Sequence, residues 1–142
     1  MSIIHGSRGL IYFVHQFKPI FQEASVLSDP ELLPAITELN KQIQNLAPVL
    51  NSPSLDGKAI VASEEAASRI AVMCKEYRGD RYVFAVNMVN KDAKVNIQLD
   101  GEQKYSVADV LGEERKVELR DQVLQDSFPA YGVHLYKLRL QP

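Results

Sequence analysis

The chain has 142 residues, 46% hydrophobic and 24% charged, with a formal net charge of −2. That length suits one ordinary domain, or a small domain with an appendage, and a compact fold of this size buries roughly 68–70% of its unfolded surface without disulfides or metals. Interspersed acids and bases give no electrostatic basis for a nucleic acid or anionic membrane partner, and no apolar run nears the roughly 18 residues of a membrane helix.

The N-terminus, Met-Ser-Ile-Ile-His-Gly-Ser-Arg, lacks the apolar core of a signal peptide. From Gly9 to His15 the sequence reads Gly-Leu-Ile-Tyr-Phe-Val-His. Leu10, Tyr12 and Val14 point one way, Ile11 and Phe13 the other. A strand apolar on both faces is the pattern of a parallel sheet covered by helices. A polar loop begins at His15-Gln16-Phe17-Lys18-Pro19. Ser28-Asp29-Pro30-Glu31 then matches a capping box with Ser28 as N-cap and Glu31 reaching back. Leu32, Ile36, Leu39, Ile43, Leu46 and Leu50 follow at steps of four and three, one stripe on a helix of about five turns. Pro34 falls near its start, and Pro48 with Asn51-Ser52-Pro53-Ser54 ends it and forms a linker.

From Lys58 the period becomes two. Arg69–Tyr77 has Ile70, Val72 and Cys74 in phase, and Arg78-Gly79-Asp80 turns. Arg81–Val89 carries Tyr82, Phe84, Val86 and Met88 on one face, Val83 and Ala85 on the other, and reads as a central strand. Lys94–Leu99 alternates with Val95, Ile97 and Leu99 inward. Asp100-Gly101 is a hairpin dipeptide. Strands 105–111, 116–120, 123–128 and 133–140 complete the set. Such spacing predicts a mainly β fold, an antiparallel Greek-key-like sandwich of about seven or eight strands, preceded by one strand and one long helix. The boundary falls at the linker: residues 1–54 form the strand–loop–helix unit and 55–142 the β-sandwich. A lone β/α unit has no parallel neighbours here, so residues up to about Leu50 either dock on the β domain or continue a larger α/β domain upstream.

The residues offer little self-contained chemistry. His15, Gln16 and Lys18 sit just past the C-terminal end of the first strand, where parallel α/β folds gather their ligand-binding loops. Taken alone they are ordinary loop residues; their address makes them the substrate-adjacent candidates. Glycosidic chemistry needs two facing carboxylates. Glu23, Glu64, Glu65, Glu113 and Glu114 are the candidates, and all read as solvated charge in loops and turns. Cys74, in phase with Ile70 and Val72, reads as a small core residue and not a nucleophile. As the single cysteine it excludes an internal disulfide, which fits a reducing compartment and equally an exported bacterial protein. His5, His15 and His134 lack metal-ligand spacing, and there is no phosphate loop, so no catalytic residue, metal or cofactor is assigned. His134, between Val133 and Leu135, is placed at the surface or a sheet edge. With no Trp in the chain, the aromatics available for sugar stacking are Tyr77, Tyr105, Tyr131 and Tyr136. Tyr105 alternates with Val107 and reads as core; Tyr131 suits a tyrosine corner, a loop anchor or a sugar platform.

Two stretches carry a family resemblance. Arg8-Gly-Leu-Ile-Tyr-Phe-Val-His-Gln-Phe-Lys18 with Leu39-Asn-Lys-Gln-Ile-Gln-Asn-Leu-Ala-Pro-Val-Leu50 resembles the last β/α unit of a glycoside hydrolase (β/α)8 barrel. Val107-Ala-Asp-Val-Leu-Gly-Glu-Glu-Arg115 and Asp126-Ser-Phe-Pro-Ala-Tyr-Gly-Val-His-Leu-Tyr136 resemble the closing strands of the C-terminal β-sandwich that follows such barrels. The resemblance implies an accessory domain of a carbohydrate-active protein, with catalytic acids on strands outside this chain and His15 and Gln16 at the last strand's mouth. It implies as partners carbohydrate, through a parent enzyme, and an upstream barrel, or self-association through residues 9–50. The rival expectations are a stand-alone carbohydrate- or protein-binding β module, with the 32–50 stripe across its own sheet, and a free-standing small hydrolase.

Overall fold

The period-two segments form one continuous run of antiparallel ladders in a computed structural model that describes residues 1–63, 66 and 69–140. Eight strands are present among the described residues: β1 (Ala59–Val61), β2 (Ile70–Tyr77), β3 (Asp80–Asn87), β4 (Ala93–Leu99), β5 (Tyr105–Val110), β6 (Arg115–Arg120), β7 (Val123–Phe128) and β8 (Val133–Leu140). They follow the order β1-β4-β7-β6-β5-β8-β3-β2. β5, β6 and β7 are joined by tight turns, and β8 returns beside β5 while β4 lies beside β7, giving two overlapping Greek keys. The sheet rolls until β1 lies near β2. The linker seals β2's free edge, Leu55 donating its N–H to the Cys74 carbonyl at 2.9 Å, so little backbone there is left open to pairing.

The expected mainly β, antiparallel architecture with one long helix is therefore present. β4 alternates as read, with Val95, Ile97 and Leu99 buried and Lys94, Asn96 and Gln98 exposed. β5 does not keep its phase. A register shift between Tyr105 and Val107 turns Ala108 and Val110 inward beside Tyr105, leaving Val107 half-buried; the extra residue of a bulge reverses the faces that follow it. β3 is second from the edge rather than central. It is buried on both sides because Val83 and Ala85 enter the main core while Tyr82 and Phe84 meet the helix. The main core is filled by Tyr105, Tyr136, Phe128, Ile97 and Leu124.

The helix α1 spans Leu32–Leu50. Asp29, not Ser28, caps it: its Oδ1 accepts the N–H groups of Glu31 (2.9 Å) and Leu32 (2.8 Å), and its carbonyl accepts Leu33 N–H. Pro30 thereby falls at the first helical position, where its missing N–H has no intrahelical partner to lose. Ser28 closes a 3-10 turn over Ser25–Ser28, donating Oγ–H to the Ser25 carbonyl, which turns it away from the helix. Pro48 lies inside the last turn and does not end it; the helix runs to Leu50 and closes on Asn51 and Ser52. Only this C-terminal end packs on the sheet, Leu46, Val49 and Leu50 covering Tyr82 and Phe84. Leu32, Leu33 and Leu39 remain exposed.

The strand expected over Gly9–His15 makes no ladder. A strand needs a backbone partner, and among the described residues none of the eight others pairs with it: the one β2 edge left by the sheet is met by the linker at Ser54 and Leu55. Its side-chain alternation nonetheless persists. Leu10 and Tyr12 face α1, the Tyr12 hydroxyl donating to Asn40 Oδ1 at 3.0 Å, whereas Ile11 is 100% and Phe13 69% exposed.

Candidate functional site

The loop after this stretch is held by local hydrogen bonds. Gln16 and Gln22 exchange backbone bonds at 3.0 and 2.9 Å, Ala24 N–H donates to His15 Nδ1 at 3.0 Å, and Ser25 Oγ–H donates to the Val14 carbonyl. The hairpin so formed brings four rings into a circuit. Phe13 stacks on Phe17 at 5.7 Å between centroids and meets His15 edge-on at 5.7 Å; Phe21 lies 6.1 Å from His15 and 5.6 Å from Phe17. Three of the four, Phe13, Phe17 and Phe21, are more than half exposed.

Of the three loop candidates, the structure places only His15 in this cluster. Gln16 contributes its backbone and exposes its side chain, and Lys18 stands exposed near the turn. The three phenylalanines went unread as a group. Their recurrence at 13, 17 and 21 is visible in the sequence, but outside a helix a spacing of four has no meaning until the Gln16–Gln22 pairing folds the loop back. Beside the loop, a groove of about 650 Å³ separates the N-terminal segment from α1 and β2, with Tyr12, Asn40, Ile43, Ala47 and Lys75 among its walls.

Among the described residues the candidate carboxylates do not pair with one another. Glu23 and Glu114 are exposed, and Glu64 and Glu65 lie outside the described residues. Glu113 joins a charged network under the β5–β6 turn. Arg115 donates Nε–H to Glu113 Oε2 at 2.8 Å and grips Asp126 with two bonds of 3.2 and 2.8 Å. Tyr136 donates its hydroxyl to Asp126 Oδ2 at 2.8 Å. His134 meets Glu113 Oε1 through Nδ1 at 2.5 Å and the Ser127 carbonyl through Nε2 at 3.1 Å. Burial pulls both acids upward, but the bonds from His134 and Arg115 to Glu113, and from Arg115 and Tyr136 to Asp126, outweigh it and hold both below their ordinary values. Both are ionised and charge-paired, and both imidazole nitrogens are engaged. The cluster ties the β5–β6 turn to β7 and β8. His134 is buried, not at the surface or a sheet edge as read. The missed signal was its phase: it shares a face with Tyr136 and Leu138, which are core.

Cys74 is buried, and desolvation pushes its thiol up to about 11, so it is a core residue and not a nucleophile. Tyr105 and Tyr136 are core, and Tyr77 packs beside Tyr82 and Phe84. Tyr131 is exposed on a loop tip at φ 56°. No group of three or more His, Cys, Asp or Glu side chains placed to hold a metal ion occurs among the described residues.

The sequence matches no protein-family model and no curated protein. Its fold matches solved structures. An Anoxybacillus α-amylase aligns with a TM-score of 0.57 at 21% identity, over 80% of this chain and 24% of that one. The α-amylase GTA of Geobacillus thermoleovorans, complexed with acarbose, aligns with a TM-score of 0.61 at 18% identity, over 80% and 24%. AmyP in complex with maltose aligns at 0.60 and 13% identity, over 84% and 24%. The likeness is one of fold, shared with α-amylase-type glycoside hydrolases, and the chain spans about a quarter of the length of each.

Proposed function

We propose that this chain is the non-catalytic C-terminal portion of a glycoside-hydrolase-like protein. In this reading residues 1–54 are the last β/α unit of a carbohydrate-active barrel, and residues 55–142 are the β-sandwich that packs on that barrel and stabilises it. One observation carries the reading: the β strands pair into one continuous sheet, while residues 10–39 hold most of the exposed large apolar side chains among the described residues, Ile11 being fully exposed. A monomer rarely leaves such a surface open. The alternation along 10–13 supports it, because Leu10 and Tyr12 already face a helix while Ile11 and Phe13 point away, as barrel strands do. His15, Gln16 and Lys18 then lie at the strand's substrate-facing end.

The test is hydrogen exchange on this chain and on a polypeptide extended through the coding sequence upstream. Backbone amides of residues 9–14 are unprotected in the short form and gain protection in the long one. Equal exchange in both refutes the reading. The rival, a self-contained binding module, draws support from the last turn of α1 covering Tyr82 and Phe84. It requires retention of a glycan or protein by the isolated chain on an array or in a pull-down.

A further inference from the structure

The groove between the opening segment, α1 and β2 combines apolar walls with positive charge. It encloses about 650 Å³, within the roughly 300–1,000 Å³ of small-molecule sites. Leu10, Ile43, Leu50 and Met73 supply apolar wall, and the charged side chains along it are Arg8 and Lys75, with no Asp or Glu. The chain as a whole carries −2, so the positive sign is local to this lining. A smaller cavity adjoins it across Gly6, Ser54 and Met73, and the carboxylate of Asp56 belongs to that chamber. Lys75 lies on β2 and is only 8% exposed. Its ammonium donates to the Ser52 carbonyl at 2.8 Å, a neutral acceptor. No carboxylate stands within ion-pair distance of it among the described residues. Lysines are almost never buried this far unless a countercharge meets them.

We propose that this groove binds an amphipathic organic anion, its carboxylate or phosphate head paired with Lys75 at the β2 wall and its hydrocarbon body laid along Ile43, Leu50 and Met73. An ammonium carries three donors, and the bond to Ser52 fixes where this one stands, so it meets the head with little reordering. A neutral amphiphile would cover the apolar wall and leave the buried cation uncompensated. A bare inorganic anion would forgo the wall. Arg8, exposed on the same lining, adds an attraction for anions that salt screens. The site does not rest on the barrel reading. Leu10 and Tyr12 line it, whereas the outward face that reading needs is that of Ile11 and Phe13.

The test titrates the 142-residue chain with hexanoate, hexyl phosphate and hexan-1-ol at pH 7, each to about 10 mM, a range that reads millimolar Kd. Methyl shifts of Met73 and Ile43, and cross-relaxation from them to the hexyl protons, report occupancy of the groove. At least one anion binds there with both signals, and its head group names the ligand class. Hexan-1-ol binds at least tenfold more weakly than that anion. Lys75→Met keeps the length of the side chain and removes its charge, and brings the anion down to the alcohol's affinity. Arg8→Gln, at an exposed position, weakens the anion about threefold at low salt and leaves the alcohol unchanged. Ala47→Phe fills the groove and abolishes binding of both. Unchanged amide shifts across β4–β7 certify the fold of each variant; should Lys75→Met not fold, Ala47→Phe and Arg8→Gln decide. The proposal is overturned if neither anion binds, if the alcohol binds as tightly as the better anion, if that preference survives Lys75→Met, or if Ala47→Phe leaves binding intact.

Discussion

Asn87 is the polar residue on which two loops of the β domain hang. It is fully buried at the end of β3. Its Nδ2 donates to the Lys91 carbonyl at 2.7 Å and the Pro129 carbonyl at 2.9 Å, and its Oδ1 accepts the Val89 N–H at 3.3 Å. Asn87→Ala removes two good bonds and one long one. Each good bond contributes about 1 kcal/mol net, and the small void left by the amide adds to that, so the loss is about 3 kcal/mol. The Pro129 carbonyl keeps its bond from Gly132 N–H at 2.9 Å, which is why the figure is not larger. At roughly 2.1 cal/mol/K per residue, a chain of 142 residues has an unfolding entropy near 0.3 kcal/mol/K, and the midpoint should fall by about 10 °C. Calorimetry measures the midpoint, and urea titration checks that the slope with denaturant is unchanged. Asn87→Asp is the sharper control: it keeps an acceptor for Val89 but points a carboxylate at two carbonyls, and should be at least as damaging as alanine. A fall below about 3 °C for Asn87→Ala, or an Asp variant as stable as the parent, refutes the assignment of this side chain as the tie between the loops.

Gly132→Ala should destabilise by about 1–3 kcal/mol, because a Cβ there would lie 2.6 Å from Pro129 Cδ and 3.0 Å from its carbonyl oxygen; urea midpoints read it, and a neutral result shows that the turn relaxes. Glu113 and Asp126 are held below their ordinary values in the folded state, so the unfolded chain binds more protons in that range. Their contribution is present above the unfolded carboxylate pKa of about 4 and is lost as pH falls through the folded values. The urea midpoint should therefore drop below about pH 4, and Arg115→Met should flatten that drop; an unchanged slope in the variant contradicts the network. Cys74, with its thiol at about 11, should resist iodoacetamide at neutral pH in the folded chain and react once urea unfolds it. Equal labelling in both states contradicts its burial.

Much of the β domain was legible because alternation along a strand is a local property. Val95, Ile97 and Leu99 declare their face without reference to anything distant. Where the phase was lost, at the bulge after Tyr105, the cause was one extra residue, which no count of alternating positions reveals. His134 shows a different failure. Its phase with Tyr136 was available, but a histidine on a core face reads as improbable until Glu113 from the β5–β6 turn and Ser127 from β7 arrive to satisfy it. Ser28 was read as the helix cap, and the 3-10 turn before the helix turns it away and leaves the neighbouring Asp29 to cap.

The opening segment marks the division most clearly. By itself the sequence determined that residues 9–15 are apolar on both faces, that one long amphipathic helix follows, and that the rest alternates with period two, because all of these are spacings along one chain. Tertiary structure alone decided that the eight strands close in two Greek keys and leave residues 9–15 unpaired, since pairing depends on which backbone edges remain free. It alone decided that Phe13, Phe17 and Phe21 join His15 in one circuit of rings. That contact forms only when Gln16 and Gln22 bring the two limbs of the loop together, and no periodicity encodes it.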